Sequence, residues 1–315
     1  VCINRTYLSE TCTGANILPA NTPIPANMIN PAALAYLNGI YRQLPLPNNR
    51  TVGNPFGLTT QIANEADFRQ ELFKIDHSVN DKWSMYYRYQ QDKIPTLDGN
   101  ALFSSGSSLP GVSTTSTNSP GKTHTFQTTY AVSPQLIIEG RYNYGYGAIL
   151  SNNVGLLSLQ NTQVPVTLPF VNERDRIPTI TGNGFTGLTS FGPYDNFSYK
   201  HNFTGGLTYL VGSHTMKFGA VYSLYRKNEN ALAGNNEGNF SAFPATLVTG
   251  QTFPQNYPLP GGGVLTNALT TGVAQNLQRW ANFLVGNVST FTQASFDYTA
   301  DLRQKALEWY AQEEW

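Results

Sequence analysis

The sequence is short of charge. Only 12% of its 315 residues are Asp, Glu, Lys or Arg, about half the share of an ordinary soluble domain. The 19 basic and 19 acidic side chains cancel. That leaves no basic footprint for nucleic acid, which is excluded as a partner. No run of 18 apolar residues occurs, which excludes a transmembrane helix. The chain opens on Val1 with no charged-then-apolar leader, so the expectation is a removed signal or a piece of a longer protein. Cysteine is nearly absent. Cys2 and Cys12 are the two present, and an oxidising compartment would join them in a local loop-closing disulfide; otherwise they are two free thiols.

Motifs for covalent chemistry are missing too. His77, His124, His201 and His214 are far apart in sequence, without the clustering a zinc site requires. Pro120-Gly121-Lys122-Thr123 ends like a phosphate loop, but Ser116 stands where the first glycine belongs. No GxSxG nucleophile elbow occurs. Glu313 and Glu314 are adjacent, so on a strand they point to opposite faces and cannot act as a pair. Asp67 and Glu71 share a strand face with Arg69, which suggests salt bridging rather than paired-carboxylate hydrolysis. The expectation is no enzyme, no catalytic residues, no metal and no cofactor.

What replaces the charge is Asn, Gln, Ser, Thr, Gly and Tyr. Aromatics reach 12%, with 18 Tyr and 17 Phe, while mean hydropathy is only −0.29. The aromatics lie in patterned stretches, so disorder is not expected. Residues 1–66 carry no strong period and are rich in Pro and Asn; one helix is expected over Pro31–Gln43, with Pro31 in its first turn. From residue 67 a period of two takes over. Trp83, Met85, Tyr87 and Tyr89 oppose Ser84, Arg88, Gln90 and Asp92. Phe126, Tyr130 and Val132 oppose Thr125, Gln127 and Thr129. Leu136, Ile138, Tyr142 and Tyr144 oppose Glu139, Arg141 and Asn143. Phe197, Tyr199, Phe203 and Leu207 oppose Ser198, Lys200, Asn202 and Thr204. Alternation of this kind marks strands with one apolar and one polar face.

The connections alternate as well. Turns of about three to five residues join the strands of each hairpin, and long links near 93–121 and 147–193 join hairpin to hairpin. All the long links fall at one end of the strands. Strands of about 10 to 14 residues, Tyr- and Phe-rich apolar faces and one-sided long loops fit an outer-membrane barrel with short periplasmic turns. A soluble antiparallel sandwich shares the alternation, but its strands are usually shorter. Weaker strands are expected at 237–243, 289–298 and 302–315, and 279–286 reads as a helical turn or a strand start. The total is about nine strands. Six N-x-[ST] sequons occur, at Asn4, Asn49, Asn196, Asn202, Asn239 and Asn287. In so Asn-, Ser- and Thr-rich a chain they are expected by chance, and Asn196 and Asn202 fall on a polar strand face.

Several segments then become recognisable. Phe73-Lys74-Ile75-Asp76-His77-Ser78 followed by Trp83-Ser84-Met85-Tyr86-Tyr87-Arg88-Tyr89 resembles a hairpin of large TonB-dependent receptors, and of their Oar-like subgroup in particular. Ile24-Pro25-Ala26-Asn27 through Pro45-Leu46-Pro47-Asn48 resembles the loop just upstream of it. His214-Thr215-Met216-Lys217-Phe218-Gly219, Trp280-Ala281-Asn282-Phe283-Leu284-Val285-Gly286 and Tyr310-Ala311-Gln312-Glu313-Glu314-Trp315 resemble later segments of that subgroup, in the same order. The resemblance covers most of the chain from residue 21. The subgroup's plug, TonB box and regulatory-like domain have no counterpart here.

The resemblance implies an all-β fold, a partial antiparallel transmembrane barrel over 67–315 preceded by a long extracellular loop region over 1–66. Barrels of this class have about 22 strands around a plugged lumen; at roughly 30 residues per strand that needs about 700 residues, so a fragment is expected. It implies location in the outer membrane, contact with outer-membrane lipid, and energised uptake of a scarce oligosaccharide, peptide or metal chelate, with the TonB complex reached through the missing plug. Binding falls to extracellular loops, where Phe185, Phe191, Tyr194 and Tyr257 are the expected ligand contacts; the alternative for each is packing within its loop. Two rivals stay open: a self-contained small outer-membrane pore or adhesin, and a secreted β-sandwich that binds or cleaves carbohydrate.

Overall fold

The structure is a computed structural model, and it describes residues 18, 22–104, 106–182, 185–230, 234–245, 256–258, 262–266 and 271–315. Cys2 and Cys12 lie outside the described residues. In chain order the helices and strands are α1 (Pro31–Gly39), β1 (Glu65–Ala66), β2 (Arg69–Asn80), β3 (Trp83–Lys93), β4 (Pro95–Asp98), β5 (Thr115–Asn118), β6 (Gly121–Ser133) and β7 (Leu136–Asn153). They continue with β8 (Thr179–Thr181), β9 (Tyr194–Val211), β10 (His214–Glu229), β11 (Asn239–Ser241), β12 (Tyr257–Pro258) and β13 (Val264–Leu265). The last three are α2 (Thr271–Leu284), β14 (Thr290–Thr292) and β15 (Ala300–Glu314).

Seven long strands form one antiparallel sheet in the order β2-β3-β6-β7-β9-β10-β15. Neighbours in sequence are neighbours in space, as in an up-and-down barrel wall. The register carries the alternation across the whole sheet. Ile75, Tyr87, Phe126, Tyr142, Phe203, Tyr222 and Leu307 stand in one row on the apolar face. Lys74, Arg88, Thr125, Asn143, Asn202, Ser223 and Ala306 stand beside it on the polar face. Among the described residues β2 pairs only with β3, and β15 only with β10 along its length, so the wall is open at both sides.

The hairpin turns are tighter than the pattern suggests. Each is a two-residue loop: Asp81-Lys82, Pro134-Gln135 and Gly212-Ser213. The first two follow register shifts, at Ser78/Asn80 and Ala131/Ser133, which put an extra residue into the strand beside the turn and so made the turn look longer in sequence. Gly212 has φ +62°, and Ser213 does not share a positive φ. That places Gly at the first central position of a type II′ turn, whose twist matches the flanking strands.

At the other end three lines of the wall break and resume. β2 resumes as β1, β3 as β4 and β6 as β5; β5 then pairs with the far end of β7. The wall therefore runs on past the breaks: β7 and β9, at 18 residues each, are ~60 Å long at the usual rise per residue.

Two of the weaker strand expectations take a different place. Residues 239–241 and 290–292 do form strands, β11 and β14, but they make a small sheet with β8, outside the wall. Segment 302–315 is the seventh long strand. Segment 279–286 is neither one turn nor a strand start: it is the end of the 14-residue helix α2.

Candidate functional site

The long connections fold together into a layer with its own core. Asn30 caps α1: its Oδ1 accepts from the backbone N–H groups of Ala32 and Ala33 at 2.9 and 3.4 Å, with Pro31 at the first helical position. The Asn30 N–H donates to the Leu284 carbonyl at 2.8 Å, tying the start of α1 to the end of α2. Tyr36, Tyr41, Phe185, Phe243, Trp280 and Phe283 pack as edge-on and tilted pairs with centroids 4.8–6.3 Å apart, the geometry aromatic rings prefer. The buried Tyr36 hydroxyl donates to the Pro178 carbonyl at 2.6 Å. Burial pushes the pKa of both Tyr36 and Tyr41 above the ordinary tyrosine value. A small cavity of about 120 Å³ lies among Ala33, Tyr36, Ile180, Phe243 and Phe283.

Beside the rings is a buried ion network. Glu237 is fully buried between Arg176 and Arg174, and Arg174 also holds Asp297 at 3.0 Å. Burial lowers the pKa of Arg176, and the Glu237 carboxylate works against that shift. Asn236 fills the remaining polar demand: it accepts from the Glu173 N–H at 2.7 Å and donates to the Val171 and Ala294 carbonyls, each at 3.2 Å. These contacts join the β7–β9 connection to the β10–β15 connection.

Where the wall meets this layer, its polar face presents a second cluster. Register places Asn196 of β9 opposite Glu229 of β10, and Ser198 opposite Lys227. The Tyr194 hydroxyl donates to Glu229 Oε2 at 2.9 Å, Asn196 Nδ2 donates to the same oxygen at 3.2 Å, and Lys227 Nζ is 2.7 Å from it. Phe191 lies 5.4 Å from Tyr194 and 5.7 Å from Phe103, centroid to centroid. Phe103 is 65% exposed and has φ +59°, a left-handed conformation rarely adopted by a bulky side chain. Nearby, Ser107 is tied to the β7–β9 connection: its N–H donates to the Thr189 carbonyl at 2.8 Å. The outcome is an open aromatic ring beside a carboxylate held by three donors. Chemically, an arrangement of this kind can stack on a flat ligand and exchange hydrogen bonds with it.

The four residues singled out from sequence part company. Phe191 and Tyr194 meet at this cluster. Phe185 packs in the ring core of the layer, against Phe243, Trp280 and Phe283. Tyr257 belongs to the β12–β13 hairpin, paired with Leu265. Phe103, Lys227 and Glu229 carry no expectation from sequence, and Asn196 figures there only as a sequon on a polar strand face. Phe103 had one visible signal: it is an isolated aromatic in a Gly- and Ser-rich link. Among the described residues, no three His, Cys, Asp or Glu side chains gather as metal ligands.

The apolar face of the wall is open to its surroundings. Trp309 is 78% exposed, and Phe73, Ile75, Phe126, Ile138, Phe203, Phe218 and Leu307 are exposed as well. In water such a face would be an aggregation surface; in hydrocarbon it is the side that touches lipid. No curated protein and no solved structure matches the chain. A family model described as an outer membrane beta barrel domain matches residues 4–315, and with nearly the whole sequence matched the chain belongs to that family and is an outer-membrane protein.

Proposed function

We propose that this chain is a barrel segment of an outer-membrane TonB-dependent receptor that takes up a scarce oligosaccharide, peptide or metal chelate and performs no covalent chemistry. One observation carries most of the weight: after seven consecutive long strands the wall is, among the described residues, still open on both sides. Single-chain outer-membrane barrels start at 8 strands, and the plugged transporters are far wider. The ordered series of receptor-like segments from residue 21 to Trp315 points the same way. The partners of this reading are outer-membrane lipid and, through a plug domain, the TonB complex of the inner membrane.

Within it, the Phe103, Phe191 and Tyr194 cluster is the ligand contact. It stands where the polar face, turned inward in a closed barrel, meets the extracellular layer, so a captured ligand would sit at the entrance to the lumen. The test is photo-crosslinking of the complete receptor to the periplasmic domain of TonB in intact cells. A crosslinked product is expected. Its absence, together with steady ohmic conductance of the purified protein in planar bilayers, would reject this reading in favour of a passive pore. Replacing Phe103, Phe191 and Tyr194 together by Ala should reduce uptake at least tenfold with surface abundance unchanged; unchanged uptake would remove the cluster from the reading.

A further inference from the structure

The apolar face of β9, β10 and β15 carries three cations that crossing a membrane does not require. Register sets Tyr199, Arg226 and Arg303 in one row, and His201, Leu224 and Lys305 in the next. Both rows lie at the long-connection end of the lipid-facing side, which is the extracellular end in this architecture. A cation on the lipid face is costly at the midplane and tolerated only near an interface. The rows therefore sit at the level of headgroups. Asp301 is shared by the two guanidiniums: Arg226 Nε reaches it at 3.0 Å and Arg303 Nη2 at 2.7 Å. Lys305 makes no ion pair among the described residues, so three cations face one carboxylate. The opposite end of the same three strands differs, with Tyr209, Met216 and a Glu313 carboxylate 2.8 Å from His214.

The cations are not spread over a flat surface. Tyr144, Tyr199, His201, Arg226, Arg303 and Lys305 line a cleft of about 550 Å³. Tyr144 and His201 line it as a tilted ring pair, with centroids 5.0 Å apart. Directly below, toward the middle of the strands, come Phe203, Tyr222 and Leu307, then Ala220 and Trp309. Along the strands, the cations share their two rows with the hydroxyl-bearing rings Tyr199 and Tyr144, and a largely apolar surface follows.

We infer that this cleft holds an acylated sugar phosphate of the outer leaflet. Arg226, Arg303 and Lys305 take the phosphate, which suits guanidinium forks and an ammonium point charge. The sugar lies against Tyr144 and Tyr199, and the acyl chains run down over Tyr222, Leu307 and Trp309. A free inorganic anion would use only the first of these three parts. The inference rests on outer-membrane location alone and does not depend on energised uptake.

The test uses the complete membrane protein, purified in mild detergent, with native mass spectrometry as the readout. The probes are bis-phosphorylated lipid A, dephosphorylated lipid A, phosphatidylglycerol and inorganic phosphate. Bis-phosphorylated lipid A should bind at least tenfold more tightly than the other three. The triple variant Arg226→Gln, Arg303→Gln, Lys305→Gln should lose that preference, and heat-dependent gel mobility would check that it still folds. Should it fail to fold, Arg226→Lys with Arg303→Lys should keep the preference and Lys305→Gln alone should weaken it about threefold. Equal binding of dephosphorylated lipid A or phosphatidylglycerol would overturn the inference. So would displacement by millimolar inorganic phosphate, or a folded triple variant that binds as well as the native protein.

Discussion

Phe283 and Phe203 are the same side chain in opposite settings. Phe283 is 4% exposed in a ring cluster drawn from four separate segments, and Phe203 is 46% exposed on the face of a long strand. The loop layer is built like a small water-soluble domain, with an apolar aromatic core, a helix capped by Asn30 and a buried Arg–Glu–Arg network. The wall is built the other way round. Its large apolar side chains face outward, its polar ones face the lumen, and backbone pairing supplies what a core supplies elsewhere. A single chain thus uses two solvents. Burial means protein contact in one region and lipid contact in the other, and exposure to water in the isolated chain says little about cost in the wall.

The sharpest way to break this comparison is the ion network. Glu237→Ala leaves the buried Arg176 without its anion, a loss of about 3–5 kcal/mol. Hydrogen exchange on the membrane-embedded protein should show the β8–β11–β14 sheet opening while β7 and β9 stay protected. Equal loss in both regions would mean that they are not separate cooperative units. Next comes the same substitution in both settings. Phe283→Ala should cost the layer about 3–5 kcal/mol through cavity formation, whereas Phe203→Ala should cost the wall far less. Phe203→Arg, in turn, should cost about 2–4 kcal/mol in a bilayer, and Asn202→Arg on the polar face should be nearly neutral. Urea titration into vesicles would rank the wall variants.

A pH effect should follow in size. Tyr36 and Tyr41 have raised pKa values in the folded layer, first through burial. Unfolded tyrosines lose their proton near pH ~10 while the folded ones keep it. Layer stability is therefore present below about pH 10 and falls as the pH rises beyond it. Tyrosinate absorbance and limited proteolysis should report layer opening above about pH 10, with the slope reduced in Tyr36→Phe. An unchanged slope in that variant would sink the burial account. The smallest effect is Gly212→Ala, about 1–2 kcal/mol for a side chain at positive φ in a hairpin turn, read as a lower midpoint for wall folding with no change in the layer.

The wall was legible in sequence because its signal is local. A period of two, repeated in hairpins with short turns between, survives without any knowledge of neighbours, and six long strands and a seventh follow from it. The layer was nearly illegible because its core is assembled from distant pieces: Tyr36, Ile180, Phe243 and Phe283 share no period. Helix α2 was the exception. Val273, Ala274, Trp280, Phe283 and Leu284 recur at helical spacing on one face, but Gly, Gln and Asn around them hid the pattern. The ligand cluster was half legible. Phe191 and Tyr194 lie close in sequence, whereas Glu229 reaches them only through the β9–β10 register, and Phe103 only through ring contacts made across the fold.

The layer's core joins the segment ahead of the first strand to the last connection, since Tyr36 touches Phe283. Both segments lie on the far side of the membrane from the short turns. The ring contact therefore spans the six long strands from β2 to β10 and works as a clasp: the two ends of that stretch are held together at one place, whatever the strands between them do.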